Sequence, residues 1–89
     1  MTANLPLGRT VITPNALEQL HPEDVPAALA RHASGDWGEV NASDWAANDL
    51  SVQEGSRILS AYRDAHGVKF WVITEADRSV TTVLLPEDY

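Results

Sequence analysis

The side chains best suited to chemistry in this 89-residue chain are His32, Arg57, Glu75 and Arg78, with the hydroxyls of Ser60, Thr81 and Thr82 on neighbouring strand-like runs. Gathered on one concave surface, they would suit metal-independent cleavage of a phosphodiester. His32 and Glu75 would exchange protons, and the two guanidiniums would neutralise charge building on the phosphate. The same residues have a purely structural reading, because Glu75, Asp77 and Arg78 also make an ordinary charged hairpin. Metal chemistry has less support. His21, His32 and His66 fall on different elements with no i,i+4 pairing, and there is no cysteine. No phosphate-cradling loop or nucleophile motif is present. The expectation is therefore no catalytic residue, no metal and no cofactor, with the His32, Arg57, Glu75 and Arg78 quartet kept as the alternative.

A second set points to binding. Asp36, Glu39, Asp44, Asp49 and Glu54 follow one another closely, with Trp37 and Trp45 among them. Aromatics ringed by carboxylates suit a basic groove on a partner protein, so Asp36, Trp37, Glu39, Asp44, Trp45 and Asp49 form the candidate partner-binding set. A spacing of five is not helical, so these acids spread around a helix instead of lining one face. A solvated helix surface is the plainer reading.

Charge fits either reading of these acids, a binding surface or a solvated one, and speaks against the phosphodiester reading, since RNases of that kind are generally basic. Thirteen acids against six bases give −7, and residues 1–55 hold eight of the acids against only Arg9 and Arg31. A protein that neutralises phosphates needs a basic stripe, and none is visible along the chain, so direct nucleic-acid binding is disfavoured. No apolar run approaches the roughly 20 residues of a membrane span, and MTANLPLGRT lacks the apolar centre of a signal peptide. A cytoplasmic location without membrane attachment is expected.

The elements that must position these residues are organised around Arg57–Leu85. Three runs rich in Val, Ile, Thr, Phe, Trp and Tyr are separated by DAHG and ADRS, which reads as an antiparallel meander. Ile58, Phe70, Val72 and Val83 sit mid-run and are the expected core. No run is purely amphipathic, which predicts helices on one face and partial cover, or a partner, on the other.

Before the meander, Thr13-Pro14 reads as an N-cap and first helical residue, opening PNALEQL with Leu17 and Leu20 on its buried side. A second helix spans about Pro22 to Ala33, with Val25 and Leu29 as its apolar stripe, Ala28 and His32 flanking, and Gly35 as the stop. GDWGEV is a specified turn with Trp37 as a lid over the core. A third helix is capped by Asn41 or Ser43, with Asp44 at its third position if Asn41 is the cap, Trp45, Ala46 and Leu50 facing inward, and an end between Asp49 and Gly55. Met1 to Pro6 reads as a loose arm, and Gly8–Thr13 as either a short strand or an extended lead-in.

The segments LGRTVITPNAL, HASGDWGEV, GSRILSAY and FWVITEADRSVTTVLLPEDY together resemble a family of short proteins from plasmids, phages and genomic islands. Its members are labelled plasmid-related, or sometimes mislabelled as restriction-system subunits. The resemblance spans essentially the whole chain. It implies genomic context, not chemistry, and carries over no catalytic residue.

The expectation is one α+β domain over residues 1–89, with two or three N-terminal helices within 1–55. These pack on a three- to four-stranded antiparallel sheet whose meander covers 56–86. The expected function is that of a small acidic, non-enzymatic interaction protein of mobile elements, an inhibitor or accessory factor of a host defence or DNA-processing complex. It would act on a protein partner, with homodimerisation through an edge strand also open to it. Helices followed by a meander are also the outline of barnase- and RelE-like RNases, which keeps a small metal-independent RNase as the alternative.

Overall fold

The computed structural model describes residues 4–89. It is an α+β fold: β1 (Arg9–Ile12), α1 (Pro14–Gln19), α2 (Asp24–Ala33), α3 (Ala42–Glu54), β2 (Ile58–Arg63), β3 (Lys69–Thr74), β4 (Val80–Leu84) and a 3-10 turn over Pro86–Asp88. The strands form one sheet in the order β1-β4-β3-β2. The meander is antiparallel, as expected, but β1 joins β4 in parallel, so the sheet is mixed and not purely antiparallel. A strand that leads straight into helices has no hairpin to turn it round, and its direction is set by docking against β4.

The helix starts follow local chemistry. Thr13 accepts from the Ala16 amide at 3.1 Å and Asn41 accepts from the Asp44 amide at 2.7 Å, each satisfying an otherwise orphaned donor. In α2 the helix begins at Asp24, with Pro26 in its first turn where a missing N–H does no harm. The third helix runs on to Glu54 and is capped by left-handed Gly55.

One face of the sheet carries the core. Ala16, Leu20 and Ala28 pack on Tyr62, Phe70, Val72, Val83 and Leu85, with Ile12, Val25 and Leu29 partly buried around them. Of the expected core residues, Ile58, Phe70, Val72 and Val83 are all at or below 1% exposure. A second cluster joins Leu5, Trp37 and Ile58, so the expected loose arm is tied down at Leu5, whose amide donates to Ala33. The rest of that expectation, Met1–Ala3, lies outside the described residues. The opposite sheet face is partly covered by Tyr89, whose ring meets Trp71 edge to face at 5.8 Å.

Several facing assignments are corrected. Leu17 is exposed, because only Ala16 of α1 and Leu20 at its C-cap reach the core. In α2, Ala28 and His32 are the buried pair, and Val25 and Leu29 sit at the margin. In α3, Ala46 and Leu50 face outward, and the polar Asn48 takes the buried position against β2. Among the described residues no helix is long and apolar enough to cross a membrane.

Candidate functional site

The quartet suited to phosphodiester chemistry does not come together as a surface. His32 is fully buried. Its Nδ1 lies 2.5 Å from Ser60 Oγ and its Nε2 lies 2.8 Å from Thr74 Oγ1. Thr74 in turn meets Thr81 at 2.7 Å, and Thr81 donates to the Leu7 carbonyl at 2.7 Å. The direction of the whole chain follows from that last bond, because a carbonyl only accepts. Thr81 gives its hydrogen to Leu7, so Thr74 donates to Thr81 and His32 Nε2–H donates to Thr74. Nε2 thus carries a hydrogen, and in the neutral ring that burial favours Nδ1 is left to accept from Ser60. Burial, with the nearby Arg78 charge as a second cause, pushes the imidazole pKa down to about 4. The network ties α2, β2, β3 and β4 to the segment that leads into β1.

Arg57 and Glu75 do meet, at 3.7 Å on the opposite sheet face, where Arg57 also donates to the Tyr89 hydroxyl at 2.6 Å. Arg78 is occupied by the carbonyls of Ser51 and Ser56, each at 2.7 Å. Those bonds hold it at φ 62 in a hairpin that has no glycine. With His32 sealed in the core, an acid–base pair with Glu75 would require the fold to open. No three His, Asp or Glu side chains among the described residues are placed to hold a metal ion.

The acidic and aromatic set is also redistributed. Trp37 is not an exposed anchor: it is fully buried, edge to face against His32 at 5.5 Å, and its indole N–H donates to Asp49 at 2.9 Å. The driving force is its large apolar area, with Asp49 satisfying the one polar atom. Trp45 is half-buried against the same cluster. Asp36 is clamped by Arg31 at 2.7 Å, a bond that lowers its pKa, and Glu39 is paired with Arg63 at 2.9 Å. What remains outward on α3 is Asp44, Asp49 and Glu54, with Leu50 at 55% exposure and no basic residue anywhere along the helix. Beside them a groove of ≈ 250 Å³ is lined by Val40, Asp44, Ala47, Asn48, Arg57 and Leu59.

Sequence reasoning missed how differently the two sheet edges are finished. On β2, Ala61 exchanges hydrogen bonds with the Trp37 carbonyl at 3.1 Å and the Glu39 amide at 2.7 Å. The Asn48 side chain donates to the Leu59 carbonyl at 2.8 Å, standing in for a peptide group. Gly38 permits this approach: at φ +75, an added Cβ would lie 2.0 Å from the Ala61 oxygen. No comparable cover appears on β1 among the described residues.

Compared with protein-family models, curated proteins and solved structures, the chain has no match.

Proposed function

We propose that this protein is a non-enzymatic interaction protein that engages a basic surface through the outward side of α3. The observation that supports this most directly is the exposed Leu50, with Glu54 one turn further on, on a helix that carries three exposed acids and not a single base. A leucine at 55% exposure supplies apolar area, while the carboxylates of Asp44 and Glu54, which form no ion pair among the described residues, speed encounter with a positive partner and set salt dependence. Leu50 replaces Trp37 as the anchor, and Asp36 and Glu39 drop to a secondary role because each already holds an arginine. The resemblance to short mobile-element proteins makes a host defence or DNA-processing complex the place to seek the partner.

A photo-crosslinker at position 50, with one at position 69 on the sheet as control, identifies the partner that touches this face. Association with that partner should weaken steeply between about 0.05 and 0.2 M salt, as surface charges are screened. Leu50→Ala should mainly speed dissociation, and Asp44→Asn with Glu54→Gln should slow association. Binding indifferent to salt and to these substitutions would remove the acidic face from consideration.

A further inference from the structure

We propose that β1 is a self-complementary docking edge through which two copies of this chain form a two-fold dimer with one continuous eight-stranded sheet. In the parallel ladder Arg9 donates to Ser79 and Thr13 to Val83, so the odd-numbered residues of β1 bond to β4. The N–H and C=O groups of Thr10 and Ile12 therefore point away from the sheet, and no hydrogen bond among the described residues reaches them. An edge of this kind is a template for another strand, and proteins that do not use it cover it. Here β2 is covered, by the Trp37–Glu39 segment and by Asn48, whereas nothing among the described residues covers β1.

The occupant is identified by what a second copy brings to the one register that uses all four free groups. An antiparallel two-fold pairing centred on Val11 sets Thr10 opposite Ile12 of the other copy, and the reverse, making four backbone hydrogen bonds. The same register sets Arg9 opposite Thr13. Thr13 donates to Asp88 at 2.7 Å, so an exposed carboxylate stands next to the position Arg9 would meet. Asp88 Oδ1 accepts only from Asn15 and keeps an acceptor site open, and Arg9 has no ion pair within its own chain among the described residues. The two-fold axis makes the pairing twice. On the helical side, Ile12 borders an apolar groove of ≈ 240 Å³ lined also by Ala16, Leu17, Leu20 and Val25, with Leu17 68% exposed on it. Four hydrogen bonds on a short strand would not suffice alone. The groove and Leu17 supply the apolar area that a specific interface of roughly 1,200 Å² or more requires.

Sedimentation velocity and small-angle scattering from about 0.01 to 1 mM should show the mass rising from one copy to two, with an elongated dimer. Thr10→Pro removes one outward donor per copy and leaves the β4 ladder intact, so it should weaken the dimer about tenfold or more. Arg9→Glu should weaken it to a similar degree by setting two carboxylates together, and Arg9→Lys should largely preserve it. Thermal melts confirm that each variant folds, and if Thr10→Pro does not, the exposed Arg9 pair still decides. A single-copy mass at about 1 mM overturns the proposal, as does a dimer that neither variant weakens. Because α3 lies at the β2 end of the sheet, binding of a basic partner there can fail or succeed independently of this result.

Discussion

The buried His32 makes a quantitative prediction about acid. In the folded protein its imidazole is neutral, with a pKa near 4, whereas in the unfolded chain it titrates at its ordinary value near 6.5. The unfolded state therefore binds the proton first. Stability is fully present above about pH 6.5 and falls as the pH drops toward 4, by about 1.4 kcal/mol per pH step. The total is about 3 kcal/mol, a substantial part of the 5–15 kcal/mol typical of a domain. Below that window the loss continues as carboxylates protonate. Asp36 is held low by its bond to Arg31, Asp77 by Ser79 and Asp88 by Thr13. Asp64 is held low, against desolvation, by the amides of Val68, His21 and His66. Urea unfolding followed by far-UV circular dichroism at closely spaced pH values measures the slope. His32→Leu should be less stable at neutral pH, because Ser60 and Thr74 lose their partner, yet flat between pH 6.5 and 4.5. A wild-type protein without that slope, or a His32→Leu variant that keeps it, would refute the proposed neutral, sealed network.

Further outcomes follow from packing and backbone geometry. Phe70→Ala should cost about 3–5 kcal/mol in urea unfolding, since the ring is 1% exposed at the centre of the main core. Gly38→Ala should destabilise by more than Gly55→Ala. Both sit at φ +75, but only at position 38 does a new Cβ strike Ala61 and the Tyr62 ring, so the difference between their melting curves isolates the contact. Asn48→Ala should cost about 1–3 kcal/mol by leaving the Leu59 carbonyl unpaired, and should promote association through the uncovered β2 edge, visible by light scattering. RNA incubated without metal should stay intact. Cleavage that disappears in Glu75→Gln while the fold persists would reinstate the hydrolytic reading.

Much of the fold was legible because its signals are local. Thr13 as a cap, Gly55 as a stop, and Phe70 and Val72 within a β-branched run all announce themselves to their immediate neighbours, and Asn41 is one of two candidate caps, with Ser43. What escaped depends on partners distant in sequence. Trp37 is flanked by glycines and acids, so nothing nearby reveals that Asp49 of α3 will satisfy its indole. A helix as short as α1 spans under two turns, too few for a period to tell Leu17 from Leu20. The apolar period of α3 is poor for a physical reason: the helix buries Asn48 to close a strand edge and leaves Leu50 outside. One signal was available and unused. Ser60, Thr74 and Thr81 sit at inward positions of otherwise apolar strands, and three buried hydroxyls require a polar partner, which His32 on the inward face of α2 provides.

The parallel strand also carries a consequence for the order of folding. The contacts that define β1 join Leu7 to Thr81 across 74 residues and Thr13 to Asp88 across 75, whereas the meander closes through short turns. Loop-closure entropy thus favours a β2–β3–β4 nucleus, with β1 zipping on after the chain between has been compacted by its helices. During synthesis the N-terminal half emerges first and must wait for β4 before its own strand has anywhere to pair. Through that interval Leu7, Val11 and Ile12 remain open to other chains, so the population most exposed to misassociation is the nascent one.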